Sequence, residues 1–383
     1  MALVALTGAV VFDGDRRRHG AAVLLDGATI LAVVPADAVP AEATVVDLGG
    51  GIVTAGFVDA QVNGGGGVML NDDPTPAAMG AIAAAHRRFG TTGLLPTLIT
   101  ATPAVTAAAI AAAGLAVATE PGVIGLHLEG PHLAPARKGA HLAELMRPLT
   151  EADVDQMIAA REAIGTLVVT LAVEQAPPAL IRRLADAGVI VSLGHTDARH
   201  DAARAAIDAG ARGATHLFNA MSQMQNREPG MVGAALDAGA LWCGVIADGH
   251  HVHPVTLAAA IRAKRGPGRC FLVTDAMSTV GAEGDGFVLA GRPVRRAGGR
   301  LELADGTLAG SDIDMAASVR WTVENLGVPV DEALRMASLY PAMFLGIDDV
   351  RGRIAAGLAA DLVHLGDDLR VRSTWIAGVC ALA

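Results

Sequence analysis

From Gly56 onward the sequence alternates between short apolar runs and alanine-rich stretches, and no other feature constrains the fold as strongly. The runs have the length of buried strands, and the alanine-rich stretches have the composition of helices. Eight runs are predicted to be strands: residues 56–63, 93–100, 123–129, 166–174, 189–195, 213–218, 241–248 and 270–275. Eight successive βα units predict a (β/α)8 TIM barrel, an α/β fold whose active site lies at the carboxyl ends of the strands.

Polar residues with catalytic or metal-binding potential stand at the ends of most of these runs. Six strand ends carry them: Gln61 with Asn63, Glu129, His195, His216, Asp248 and Asp275. A doubly wound open sheet would gather such residues mainly at one switch point. Their spread over six strands therefore favours the closed barrel.

The two ends of the chain have a different rhythm. Residues 1–54 contain short apolar runs separated by Asp-Gly turns, which is typical of β-hairpins. Short strands without helices return near the carboxyl terminus. We expect residues 1–54 and 345–383 to form one small β-sandwich domain, and residues 55–344 to form the barrel.

Charge and cysteine content limit the partners of the protein. A formal net charge of −10 argues against a nucleic-acid surface, although a few local cations could still bind an anionic ligand. The three cysteines are widely spaced and odd in number, which fits a reducing compartment. The amino terminus has no basic region of a signal peptide, and the alanine-rich stretch at residues 106–119 is too short and too weakly apolar to span a bilayer. We expect a cytoplasmic protein without a membrane partner.

Glu129, His195 and His216 form the candidate metal site. A carboxylate at the end of a buried strand is costly unless something positive meets it. One carboxylate and two imidazoles with an open fourth position suit a catalytic zinc ion. The alternative is structural: two satisfied core histidines and a glutamate that caps a helix.

Short motifs recur in order along nearly the whole chain. They lie at residues 55–59, 127–131 (His-Leu-Glu-Gly-Pro), 138–141, 194–196, 215–221 (Thr-His-Leu-Phe-Asn-Ala-Met), 227–230, 248–252, 274–276 and 306–311. Through them the chain resembles the amidohydrolase superfamily and, within it, the N-acetylglucosamine-6-phosphate deacetylases. The two motifs spelled out here look specific to these deacetylases.

This resemblance implies hydrolysis of N-acetylglucosamine 6-phosphate to glucosamine 6-phosphate and acetate. It implies one divalent metal per subunit, expected to be Zn²⁺, held by Glu129, His195 and His216. Most members of the superfamily begin the barrel with His-x-His, which holds a second metal. Here Gln61 and Asn63 stand at those positions, and neutral amides are poor zinc ligands beside imidazole. We therefore expect a single metal.

Two residues are expected to act on the reacting amide. Asp275 would accept the proton of the attacking water and deliver it to the leaving amine, as a general base and then a general acid. His141 would donate to the carbonyl oxygen as negative charge develops on it. An N-cap role for Asp275 and a merely solvated loop position for His141 are the alternatives.

The resemblance also implies the substrate-binding residues. Arg227 and His251 would bind the phosphate, with Arg227 reaching the active site of a neighbouring subunit in a homodimer. The expected substrate-binding set is Gln61, Ala140, His141, Asn219, Ala220, Arg227, His251, Leu308, Ala309 and Gly310. The last three would line the acyl end, where small residues admit little more than an acetyl group.

Two other functions remain open from the sequence. Another amidohydrolase on the same barrel, such as an N-acyl amino-acid deacylase, would bind a carboxylate rather than a sugar phosphate. A non-catalytic binding or assembly protein could also retain the barrel. The joint presence of Glu129, His195, His216 and Asp275 argues against the non-catalytic protein.

Overall fold

The computed structural model describes residues 3–382 and begins with short strands separated by glycine turns. These strands are β1 (Leu3–Thr7), β2 (Val10–Phe12), β3 (Arg17–Arg18), β4 (Ala21–Asp26), β5 (Thr29–Pro35), β6 (Thr44–Asp47) and β7 (Ile52–Ala55). One four-stranded sheet has the order β5-β4-β1-β6. Strands β2, β3 and β7 belong to a second sheet, which the chain completes only at its other end.

The barrel follows, and all eight predicted strands are present. Its strands are β8 (Phe57–Val62), β11 (Thr91–Ile99), β12 (Leu126–Glu129), β13 (Leu167–Leu171), β14 (Ile190–Leu193), β15 (Gly213–Ala214), β16 (Trp242–Val245) and β17 (Cys270–Leu272), with the small hairpin β9 (Gly64–Gly65) and β10 (Val68–Met69) after the first. The eight barrel strands pair in parallel in sequence order, and their residues are buried. Burial on both faces explains why these strands appear in the sequence as continuous apolar runs. The predicted TIM barrel is confirmed.

Helices link the barrel strands and cover their outer face. They are α1 (Pro76–Arg87), α2 (Pro103–Thr119), α3 (Glu151–Ile164), α4 (Pro178–Asp186), α5 (His200–Asp208), α6 (Gly230–Asp237) and α7 (Pro254–Ala263). Local sequence fixes where several of them begin. Thr150 and Asp153 form a reciprocal capping box at α3, and Thr75 caps α1 directly before Pro76. Short 3₁₀ turns lie at Ala36–Ala38, Pro135–Arg137, Ala143–Leu145 and Val173–Gln175.

A four-stranded antiparallel sheet follows the last barrel strand. It consists of β18 (Gly286–Leu289), β19 (Arg292–Ala297), β20 (Arg300–Glu302) and β21 (Leu308–Ser311). Its apolar side packs on Ile99, Ala140 and Met277 at the carboxyl end of the barrel. This sheet was not predicted, and it covers part of the face where the strand ends meet.

The carboxyl-terminal part returns to helices and then to the second sheet. The helices are α8 (Met315–Leu326), α9 (Val330–Ala337) and α10 (Leu339–Leu345), and the strands are β22 (Leu362–Leu365), β23 (Val371–Ile376) and β24 (Val379–Leu382). The second sheet has the order β24-β23-β22-β7-β2-β3 and so combines both ends of the chain. It shares a core with the first sheet, in which Leu6 and Val23 pack with Trp375. This small β domain agrees with the expectation from sequence. Among the described residues, no helix has both the length and the hydropathy needed to cross a bilayer.

The seam between the first and last barrel strands lies next to the polar strand ends. The Asp275 N–H donates to the Gln61 carbonyl at 2.9 Å, and the Asn63 N–H donates to the Ala276 carbonyl at 2.8 Å. Below them, the buried Asp59 carboxylate accepts hydrogen bonds from the backbone N–H and the hydroxyl of Thr274. The seam therefore holds Asp275 in a fixed position relative to β8.

Candidate active site

Glu129, His195 and His216 come from three different strand ends and meet inside the mouth of the barrel. Glu129 ends β12, and each histidine lies two residues past the end of its strand. His216 Nε2 lies 2.9 Å from Glu129 Oε1 and 3.1 Å from His195 Nε2, and His195 Nε2 lies 3.2 Å from the same Glu129 oxygen. Both histidines have positive φ angles, 47° and 31°. Such backbone is costly for non-glycine residues and concentrates at functional sites.

The chemistry of this donor set fits a divalent cation. The Nδ1–H of His195 donates to the Arg137 carbonyl at 2.8 Å, so that in the neutral ring the Nε2 lone pair faces His216 and Glu129. Tetrahedral zinc with ligand bonds of about 2.0–2.2 Å would separate its ligand atoms by about 3.3–3.6 Å, a few tenths of an ångström more than the 2.9–3.2 Å seen here. Burial opposes the charge on Glu129, but its contacts with the two imidazoles hold the pKa of this carboxyl well below its usual range. The residues present therefore fit a three-ligand metal site.

His141 borders the same cluster, but its hydrogen bonds suit a donor better than a metal ligand. The Thr100 backbone N–H donates to His141 Nδ1 at 3.3 Å, so a neutral ring carries its proton on Nε2. That Nε2 lies 3.9 Å from Glu129 Oε2. Together with Glu129 and His195, His141 also forms a group of ligand atoms within 4.8 Å of one another. We favour His216 over His141 as the third ligand because it makes the shorter contacts. Burial, reinforced by His195, lowers the pKa of His141 to about 3 and keeps the ring neutral.

Asp275 faces this cluster from the seam of the barrel. Its Oδ1 accepts hydrogen bonds from Gln61 Nε2 at 3.1 Å and from Asn63 Nδ2 at 2.7 Å. Gln61 Nε2 also lies 3.2 Å from Glu129 Oε2. Burial, followed by the charge of Glu129, raises the pKa of Asp275 to about 6. A carboxyl group with such a pKa can both accept and return a proton near neutral pH.

A cavity of about 70 Å³ opens over these residues. It is lined by Asn63, Ile99, Glu129, Ala140, His141, His195, His216, Asn219, Ala220, His251, Asp275, Met277 and Gly310. At one wall His251 Nδ1–H donates to Asp248 Oδ2 at 2.6 Å, which fixes the orientation of its ring. The side-chain amide of Asn219 donates to the His216 carbonyl at 3.1 Å. Most of the sequence-predicted site residues thus surround one cavity.

Four predicted residues are absent from the lining of this cavity. Arg227 is exposed in the segment before α6. Leu308 and Ala309 belong to β21, where Ala309 is buried in the core beneath the inserted sheet, while the neighbouring Gly310 lines the cavity. The fourth, Gln61, donates hydrogen bonds to Glu129 and Asp275.

Sequence reasoning missed the residues that orient the predicted ones. The Thr100 hydroxyl lies 2.8 Å from His141 Nδ1, and Arg292 of the inserted sheet donates to the Ala140 carbonyl. Asn63, whose amide is a poor metal ligand, contacts Asp275 directly. The turn sequences Ala290-Gly291 and Gly298-Gly299 are the signals that could have indicated the hairpins carrying Arg292.

Comparison with known proteins gives consistent matches along the chain. The model of the amidohydrolase family matches residues 52–380. The N-acetylgalactosamine-6-phosphate deacetylase of Shewanella sp. (strain ANA-3) is 45% identical over 329 residues, which cover 86% of this chain and 82% of that protein. The N-acetylglucosamine-6-phosphate deacetylase of Haemophilus influenzae is 34% identical and covers 98% of both chains. The crystal structure of N-acetylglucosamine-6-phosphate deacetylase from Pasteurella multocida superimposes with a TM-score of 0.96 at 35% identity and covers 100% of both chains.

Proposed function

This chain belongs to the amidohydrolase family and is a hydrolytic deacetylase, and we propose that it converts N-acetylglucosamine 6-phosphate and water to glucosamine 6-phosphate and acetate. One observation carries the proposal. Glu129, His195, His216 and Asp275 converge from four strand ends on one cavity, which the neutral His141 also lines. The relatives that act on N-acetylated hexosamine 6-phosphates support the choice of substrate.

Glu129, His195 and His216 would hold one divalent cation, which we propose is Zn²⁺. When bound, the cation supplies Lewis-acid polarisation of the acetyl carbonyl and lowers the pKa of water. The amides of Gln61 and Asn63 support a single metal, because each donates an N–H to Asp275 Oδ1 and an amide oxygen is a poorer zinc ligand than an imidazole nitrogen.

Asp275 and His141 would act on the scissile amide. Asp275 takes a proton from the attacking water and gives it to the amide nitrogen as the C–N bond breaks, so the amine leaves in a protonated form. The Nε2–H of His141 donates to the acetyl oxygen as negative charge develops there. Ala140 and Gly310 line the cavity and would face the acyl group, where their small size supports selection of an acetyl group.

The phosphate would lie at the wall formed by His251, Asn219 and Ala220. Arg227 is exposed on its own chain, and this position supports a role across a subunit interface. We propose a homodimer in which Arg227 of one subunit binds the phosphate in the active site of the other. A guanidinium matches phosphate oxygens well through paired hydrogen bonds.

The C4 epimer, N-acetylgalactosamine 6-phosphate, is a second candidate substrate. It is favoured by the 45% identity to a deacetylase named for that sugar. The two epimers share the acetamido and phosphate groups that the residues above would contact. Direct comparison of the two therefore decides which sugar this enzyme prefers.

The test is acetate release by purified protein of known metal content. The substrates are the two epimers, unphosphorylated N-acetylglucosamine and an N-acetyl amino acid. We expect turnover of a sugar phosphate, with a strong loss when the phosphate is absent. Preference for the N-acetyl amino acid would make the protein an acyl amino-acid deacylase, and no turnover of any of them with metal present would favour a non-catalytic barrel.

We further propose that the enzyme works in the cytoplasm. Cys243 and Cys270 are buried as free thiols, and Cys380 is also unpaired. Free thiols of this kind are typical of a reducing compartment.

A further inference from the structure

Asn63 is held rigidly at the carboxyl end of the first barrel strand. Its side chain is buried, and its backbone is fixed on both sides: its N–H donates to the Ala276 carbonyl at 2.8 Å, and its carbonyl accepts from the Leu70 N–H at 3.1 Å. The side chain lines the active-site cavity. Its amide therefore has little freedom to turn away from the reacting groups.

The Asp275 carboxylate determines which way this amide faces. Asn63 Nδ2 donates to Asp275 Oδ1 at 2.7 Å, and a flipped amide would set its oxygen against a carboxylate oxygen. Gln61 Nε2 donates to the same oxygen. Because both donors meet Oδ1, the other oxygen, Oδ2, is left to exchange the proton during the reaction.

The oxygen of the Asn63 amide, Oδ1, has no comparable hydrogen bond among the described residues. Asn63 Oδ1 is buried and accepts no hydrogen bond from any residue that the structure describes. A buried amide oxygen without a donor carries a desolvation penalty, and most such groups in proteins are paired. Because Asn63 lines the substrate cavity, a donor on a bound substrate could pair this oxygen.

We propose that Asn63 Oδ1 accepts the N–H of the scissile acetamide and, after cleavage, the ammonium group of the product. This inference rests on the proposed deacetylase function. The reacting nitrogen must lie within reach of Asp275, which delivers its proton. Asn63 lies next to Asp275, because its Nδ2 donates to Asp275 Oδ1. The nitrogen then lies between Asn63 Oδ1 and Asp275 Oδ2, with its N–H directed to the first and its lone pair to the second.

This arrangement would make Asn63 a determinant of specificity for amides. An ester at the same position presents a bare oxygen to Asn63 Oδ1, which leaves the buried acceptor unpaired and sets two oxygens against each other. Sites built to hydrogen-bond an N–H discriminate strongly against analogues that lack it. Asn63 would thus contact the substrate, whereas Gln61 would act only through the position of Asp275 and Glu129.

Equilibrium binding of two sugar phosphates tests the proposal. Glucosamine 6-phosphate carries the ammonium donor at C2, and 2-deoxyglucose 6-phosphate carries no donor there, while both present the same phosphate. Their dissociation constants are measured by calorimetry on metal-loaded wild type, Asn63→Ala and the matched control Gln61→Leu. The control removes the other donor to Asp275 Oδ1 but keeps the Asn63 acceptor.

We expect wild type and Gln61→Leu to prefer the amino sugar to a similar degree. In Asn63→Ala this preference should fall about tenfold or more, the size of a lost hydrogen bond to a charged group. An unchanged preference in Asn63→Ala, or an equal loss in both variants, overturns the proposal. Asn63→Ser, whose shorter side chain does not extend to the same point, replaces Asn63→Ala if the alanine variant does not fold.

Two results distinguish a failure of the proposed function from a failure of this inference. If wild type neither releases acetate from the sugar phosphates nor binds their products, the deacetylase function is overturned and the inference falls with it. If wild type releases acetate and Asn63→Ala keeps its preference for the amino sugar, only the role of Asn63 is overturned.

Discussion

His195 and His216 face each other with their Nε2 atoms 3.1 Å apart, and both atoms lie within 3.2 Å of one Glu129 oxygen. Two imidazole nitrogens and a carboxylate oxygen at these distances need either a shared proton or a cation among them, and three such donors suit a divalent metal. We therefore expect purified protein to hold about one divalent metal per chain, as a single three-ligand site predicts. Removal of the metal by a chelator should abolish turnover and lower the melting temperature, because a ligand that binds only the folded chain stabilises it.

Elemental analysis and thermal melting of two variants check this prediction. His216→Ala should lose the metal, whereas the exposed His19→Ala should keep it and melt like wild type. Two equivalents of metal in wild type, or full metal content in His216→Ala, would contradict the single site.

Asp275 is expected to be required for turnover but not for folding. Its pKa of about 6 suits a group that accepts and returns a proton, and its oxygen Oδ1 is held by two side-chain amides. In Asp275→Asn the side chain keeps nearly the same shape but cannot act as a base. We expect kcat to fall about 10²- to 10⁴-fold, the usual size of general acid–base catalysis, with metal content and melting temperature close to wild type.

Steady-state kinetics at saturating substrate measures this effect. Turnover of wild type should also decline as the pH falls through about 6, because protonated Asp275 cannot accept the proton of water. A kcat of Asp275→Asn within about threefold of wild type would remove Asp275 from the chemical step, since that loss is far below the range for a general base.

The sequence predicted the barrel because its strands are buried on both faces. Each strand then appears as an apolar run, and the polar residue that ends it stands out, as Glu129 and Asp275 do. The inserted sheet escaped prediction for the opposite reason. Its strands are short and partly exposed, and β19 carries Arg292, Arg295 and Arg296 within six residues, so no apolar run marks them.

The strand ends predicted which residues would meet, but not how their side chains would be oriented. The proton position on His141 depends on the Thr100 backbone, 41 residues away in sequence. The paired contacts of Asn63 and Gln61 with one Asp275 oxygen depend on the register at the seam of the barrel. Such relations come from packing between distant segments, and no local pattern encodes them.

Mixing two inactive variants tests whether Arg227 acts across a subunit interface. Arg227→Ala should bind the phosphate poorly, and Asp275→Asn should lack the base, so each homodimer should be nearly inactive. In a mixed dimer, one active site combines an intact Asp275 with the intact Arg227 of its partner. Statistical mixing of two subunit types in a twofold dimer should therefore restore about a quarter of the active sites.

Unfolding and refolding of the two variants together, followed by the acetate assay, gives the measurement. The two variants refolded separately and then combined serve as the control. If Arg227 acted within its own chain, no mixed dimer would contain a complete site, and activity would stay at the level of the separate variants.

Asp59 closes the seam of the barrel beneath Asp275. This carboxylate is fully buried and accepts hydrogen bonds from Gln61 and Thr274, yet burial raises its pKa to about 7. The folded chain therefore binds this proton more tightly than the unfolded chain, whose aspartates titrate near pH 4. The contribution of Asp59 to the free energy of unfolding is most favourable below about pH 4 and falls as the pH rises to about 7.

Asp59→Asn should remove this dependence, because the amide keeps an acceptor for the backbone N–H groups and never ionises. We expect the free energy of unfolding of the variant, minus that of wild type, to rise by up to about 1.4 kcal/mol per pH unit between pH 4 and 7. Urea denaturation at constant metal saturation measures it, with the exposed Asp26→Asn as a control whose difference from wild type should not change with pH. A difference for Asp59→Asn that is flat across this range, or falls with increasing pH, would show that the hydrogen bonds from Thr274 outweigh burial and that Asp59 is ionised throughout.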